Sequence, residues 1–147
     1  MKKFVFSLEK VLGYKQQLLG MLKNELSVLQ ARRLEILEQI EQANLEFDNT
    51  NQTLIVKMME GMTRREIASY KNFLAAINRR ILSLKADLRA VEQQITAKQQ
   101  EIIKMNSDIS GLERIKDHQL AAYRYEAQKE QELFIEEFVS HTHVKAG

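Results

Sequence analysis

The chain has 147 residues with no proline, no cysteine, five glycines and a net charge of +2 from interspersed acidic and basic side chains. A compact domain of this length needs turn punctuation that is missing, so the composition excludes a globular enzyme with an enclosed apolar pocket. It favours a few long helices sharing one thin seam. The paired arginines (Arg32/Arg33, Arg64/Arg65, Arg79/Arg80) sit among carboxylates and form no basic face, which argues against nucleic-acid binding.

No run of about 18 uncharged apolar residues is available to span a membrane. The opening Met-Lys-Lys-Phe-Val-Phe starts like a signal peptide, but Glu9 and Lys10 interrupt its apolar run too early. The absence of cysteine fits a reducing compartment. A cytoplasmic protein is predicted.

Ser7 is the predicted N-cap of a first helix, its hydroxyl taking an orphan amide of the first turn. From Leu8 a three-four rhythm runs through Leu12, Lys15, Leu19, Leu22, Leu26, Leu29, Arg33, Ile36, Ile40, Ala43, Phe47, Thr50 and Leu54. Lys15 and Arg33 on that stripe can lay their methylenes on the seam and keep their charges wet. The polar stretch Asp48–Thr53 has poor helix propensity, but the stronger break lies at Gly61-Met62-Thr63. Gly61 suits a helix C′ position, and Thr63-Arg64-Arg65-Glu66 is a capping box.

The second helix carries the cleaner seam: Ile67, Tyr70, Leu74, Ile77, Ile81, Leu84, Leu88, Val91, Ile95, Lys98, Ile102, Met105, Ile109 and Leu112. Only Lys98 is not apolar, and the mean step of about 3.5 residues is that of a heptad coiled coil. A hairpin about Gly61 pairs residue i with roughly residue 122 − i, which sets Phe47 beside Leu74 and Ile77 and Leu8 beside Leu112. The predicted fold is all-α, a long two-helix antiparallel coiled-coil hairpin. The chain reads as a single domain over 1–147: helix 1 at 7–60, a tip at 61–63, helix 2 at 64–139 and a flexible tail at 140–147. Past Leu112 the second helix has no partner left under this register, so some 25 residues project beyond helix 1.

Apolar residues off the seam have no second layer to hide them. Ile55, Val56, Met59 and Phe73 near the tip, and Leu34, Leu45, Leu82 and Ile103 further down, mark partner contacts, self-association or plain exposure. His141-Thr142-His143 lacks a third ligand and is read as inert, and His118 sits among polar neighbours. No phosphate loop, nucleophile–base pair or paired-carboxylate motif is present, so no catalytic, metal or cofactor residue is assigned.

One further pattern stands out. A short basic start leads into Phe4, Phe6, Leu8, Val11 and Leu12 (Phe-x-Phe-x-Leu-x-x-Val-Leu), then a Gln/Leu/Glu-rich helix and a Met/Gly tip. Ser69, Tyr70, Phe73 and Leu74 follow, then a long second helix. In length and layout this resembles the flagellar export protein FliJ family over essentially the whole chain.

The resemblance implies a non-enzymatic component of the flagellar type III export machinery, similar in form to the stalk subunit of rotary ATPases. It further implies paired termini that enter the pore of the hexameric export ATPase, and a two-helix section about 20 Å across is slender enough for that. Other implied partners are a membrane export gate protein and substrate-specific export chaperones. There would be no cofactor and no small-molecule ligand, and the chain would sit peripherally at the inner membrane of the flagellar base. Carried over, the gate contact falls on Phe73 and Ile77, while Arg80 and Leu84 depart from the family's stripe. A tip partner patch is expected from Ile55, Val56, Met59, Tyr70 and Phe47. The ATPase-ring end is expected from Phe4, Phe6, Leu120, Tyr123, Phe134 and Phe138. The rival readings are a virulence-type secretion stalk, a holdase chaperone gripping clients with its tip, and a self-associating structural coiled coil.

Overall fold

A computed structural model describes residues 2–146, apart from the side chains of 143–146. It consists of two helices, α1 (Glu9–Glu60) and α2 (Arg64–Ala146), which pack against each other as an antiparallel hairpin, with no strand among the described residues. The turn is Gly61-Met62-Thr63, built as the residue types require. Gly61 takes φ = 106°, a conformation closed to most side chains, and its N–H is shared between the carbonyls of Lys57 (3.1 Å) and Met58 (3.3 Å). Glu66 N–H then donates to Thr63 Oγ1 at 3.2 Å while Thr63 N–H donates to Glu66 Oε2 at 3.5 Å, the two halves of a capping box. The polar stretch before the turn stays helical. There the Thr53 hydroxyl bonds back to the Asn49 carbonyl at 3.0 Å, so it satisfies itself within the helix instead of ending it.

Both outer helix ends differ from expectation. Ser7 lies in a turn closed by Glu9 N–H on the Phe6 carbonyl (3.1 Å), and the first helical carbonyl is that of Leu8, which accepts from Leu12 N–H at 2.9 Å. Leu8 therefore holds the cap position expected for Ser7. At the other end α2 does not stop near residue 139 but continues to Ala146. Residues 140–146 contain neither proline nor glycine, and the Thr142 hydroxyl bonds to the Phe138 carbonyl at 2.8 Å. Gly147, the last residue of the expected tail, lies outside the described residues.

Contacts group into two compact units, Leu22–Glu101 and Met1–Met21 with Ile102–Gly147. A two-helix pair has only local cross-contacts, so nothing like a thick core ties distant parts of the chain together. In the turn-bearing unit, Ala43, Ile77 and Ile81 pack with Phe47, and Ile36, Leu84 and Val91 pack with Ile40, Leu88 and Ile95. In the other unit Phe6, Leu12 and Ile109 form a cluster joined by Phe4, Leu8, Leu19, Met105 and Leu112. Every position of the α2 seam from Ile67 to Leu112 is buried or half-buried, Lys98 included; on the α1 stripe Arg33 alone is exposed.

Candidate partner-binding surfaces

At the turn, Ile55, Val56, Met59 and Phe73 are exposed, whereas Tyr70 and Phe47 are half-buried. Phe73 and Tyr70 share the lining of an open groove of about 380 Å³ with Asn49, Thr50, Thr53 and Ser69. Tyr70 is fixed by Lys57, whose Nζ donates to the phenol oxygen at 2.8 Å. With that bond, the 5.3 Å separation from the ring centroid sets the ammonium at the hydroxyl edge and not over the ring face, so the contact is a hydrogen bond. The same bond raises the Lys57 pKa above its ordinary value. Of the two residues carried over for gate contact, only Phe73 is at the surface. Ile77 is 6 % exposed and packed in the seam, like Leu84 two turns on, because it occupies the d position of its heptad.

The other unit holds the expected ring end. Residues 2–6 are not helical and lie along α2. Phe6 is 5 % exposed, packed with Leu12 and Ile109. The Phe4 ring meets Tyr123 with centroids 5.5 Å apart, and the Tyr123 hydroxyl donates to the Lys2 carbonyl at 2.6 Å. Lys116 Nζ bridges to Glu9 at 2.9 Å. The α2 stripe expected to be bare from Leu112 onward is thus half-covered as far as Ala127, with Lys116, Leu120 and Tyr123 all half-buried. Phe134 and Phe138 are 68 % and 64 % exposed, and Leu133, Ile135 and Val139 beside them are exposed as well.

Sequence reasoning missed a change of repeat. After Leu112 the covered positions are Lys116, Leu120, Tyr123 and Ala127, in steps of four, four, three and four. Extending that rule reaches Gln131, Phe134, Phe138 and Thr142, an 11-residue repeat in which Leu112, Tyr123 and Phe134 are equivalent. Such a repeat has about 3.67 residues per turn and no left-handed supercoil. The signal was present as the eleven-residue spacing of three large side chains, but a search in heptads passes over it.

Charges on the seam are paired. Lys15 reaches Asp108 at 3.0 Å, Arg33 reaches Glu92 at 3.4 Å, and Lys98 reaches Glu25 at 2.6 Å and Glu101 at 3.3 Å. The hydrogen bond to Glu25 raises the Lys98 pKa, against a smaller opposing effect of burial. Among the described residues no group of three or more His, Cys, Asp or Glu side chains could hold a metal ion; His143 of the His141/His143 pair lies outside the described side chains. No helix among them is long and apolar enough to cross a membrane.

A family model described as Flagellar FliJ protein matches residues 4–147. The chain belongs to the FliJ family. The matched span takes in the non-helical segment from Phe4, both helices and the turn between them. Membership of the FliJ family makes the chain a component of flagellar type III protein export. No curated protein and no solved structure matches it.

Proposed function

We propose that this FliJ-family chain is a non-enzymatic stalk of the flagellar export apparatus. Its outer end binds the hexameric export ATPase and promotes ring assembly and turnover, and its turn end binds the membrane export gate and the substrate-specific chaperones. The observation that carries the first contact is the bare end of α2, where Phe134 and Phe138 continue a covered stripe at 68 % and 64 % exposure. Large apolar side chains left in line beyond a packed seam are the usual mark of a protein–protein contact. Phe73 supports the gate contact, being exposed beside the Tyr70 groove, while Ile77 packs in the seam with Ala43, Ile81 and Phe47.

The mechanism is differential binding. A pair of unlike helices presents different side chains to the different subunits of a ring, and a ligand that contacts conformers unequally shifts their populations by the difference in affinity. No chemistry is required of the stalk itself.

The test is stimulation of ATP turnover by the purified full-length chain. The double variant F134A/F138A should lose most of the stimulation and weaken ring binding about tenfold or more, as expected for two aromatic anchors. F73A should leave stimulation intact and weaken gate binding. Full stimulation by F134A/F138A would remove the α2 end from the proposed role.

A further inference from the structure

The stripe on α2 from Leu112 to Phe138 is one surface in two states of cover. Its first part is half-buried through Leu120 and Tyr123, with the chain's own N-terminal segment on Tyr123; its second part, at Phe134 and Phe138, is bare. We infer that residues 2–5 are a releasable strap. They hold Tyr123 until a partner helix docking on Phe134 and Phe138 displaces Phe4 and takes the whole stripe. The inference rests on the stalk reading for the identity of that partner, the export ATPase.

The strap is built unevenly, and its hinge can be located. Phe6 is 5 % exposed and belongs to the Leu12–Ile109 cluster, so it stays. Val5 is 79 % exposed, Phe4 is half-buried, and the end of the segment is held by the Tyr123 hydroxyl on the Lys2 carbonyl. The outer part is held by the Phe4 ring on Tyr123 and at the edge of the Leu12–Ile109 cluster, and by one hydrogen bond at a position exposed to water that can replace it.

Displacement, not addition alongside the strap, follows from the line of the stripe: Phe134 and Phe138 stand on the same 11-residue repeat as Tyr123, so a helix seated along it meets Phe4. Each aromatic side chain contributes about 150–250 Å² of burial, whereas a stable interface needs about 800 Å² from each partner. Phe134 and Phe138 alone fall short. Adding Leu120, Tyr123 and Ala127, which lie on the same 11-residue repeat, makes a strip long enough for one straight amphipathic helix.

The chain has no cysteine, so V5C takes a single spin label at an exposed position that leaves Phe4, Phe6 and Tyr123 in place. The label should be restricted in the chain alone and become mobile on adding saturating export ATPase hexamer. The further change F4A should make it mobile without ATPase, and in the unlabelled chain should tighten ATPase binding about 2- to 12-fold, the range that corresponds to losing one competing aromatic contact. ATPase binding is read separately by sedimentation. If the hexamer binds and the V5C label stays restricted, or F4A leaves affinity unchanged, the strap is wrong and the stalk reading stands. If the hexamer does not bind, both are wrong.

Discussion

Lys98 is a cation set on a hydrophobic seam, and its surroundings explain how it is tolerated. Its side chain is 20 % exposed and reaches Glu25 across the helix pair and Glu101 one turn away on its own helix. The pairing costs little because its carboxylate partners stay half-exposed, and it contributes little for the same reason. Its value lies in register, since only one alignment of the two helices sets Glu25 within reach of Lys98. The pKa of Lys98 is raised in the folded chain, first by the hydrogen bond to Glu25. A group whose folded pKa exceeds its unfolded one stabilises the fold fully below the unfolded value, and that contribution disappears as pH rises through the folded pKa. Thermal melts of wild type and K98Q should therefore differ at pH 7–9 and converge above the ordinary lysine pKa of 10.5, the wild type losing more. A constant difference across that range would show that the ion pair is not the cause.

The two helices were legible in the sequence because their cause is repetitive. Fourteen positions on α2 repeat the same step, and each is withdrawn from water. The turn was legible for a local reason, a glycine that tolerates φ = 106° next to a Thr-x-x-Glu box. The helix ends were less so, because one turn of capping depends on what the flanking chain does: Phe6 is drawn into the Leu12–Ile109 cluster, and the helix begins after it.

Seam and off-seam positions on one helix should respond oppositely to truncation. Ile36 is 2 % exposed and Leu34, two residues earlier, is 58 % exposed. I36A should cost about 2–5 kcal/mol in chemical denaturation, as for a buried aliphatic residue, and L34A should fall within about 0.5 kcal/mol of wild type. Comparable losses at both sites would mean that Leu34 is covered in solution, as a self-associating bundle would require.

For the molecule as a whole, the seam accounts for the fold. The site was only partly legible. Phe73, Phe134 and Phe138, assigned to partner contacts from the sequence, are exposed. Ile77 and Phe6 are buried, the one at a heptad position and the other in the Leu12–Ile109 cluster. What no periodicity argument reveals is that residues 2–6 come back along α2, a contact made by non-helical backbone over a stripe that changes repeat.

The central claim is that the two ends of the hairpin meet different partners. A photo-crosslinking phenylalanine analogue placed singly at Phe138, Phe73 or Leu34 of the full chain, in cells assembling flagella, tests it directly. The account predicts capture of the export ATPase at Phe138, capture of the gate protein at Phe73, and neither at Leu34. Capture of the ATPase at Phe73, or its absence at Phe138, would contradict it.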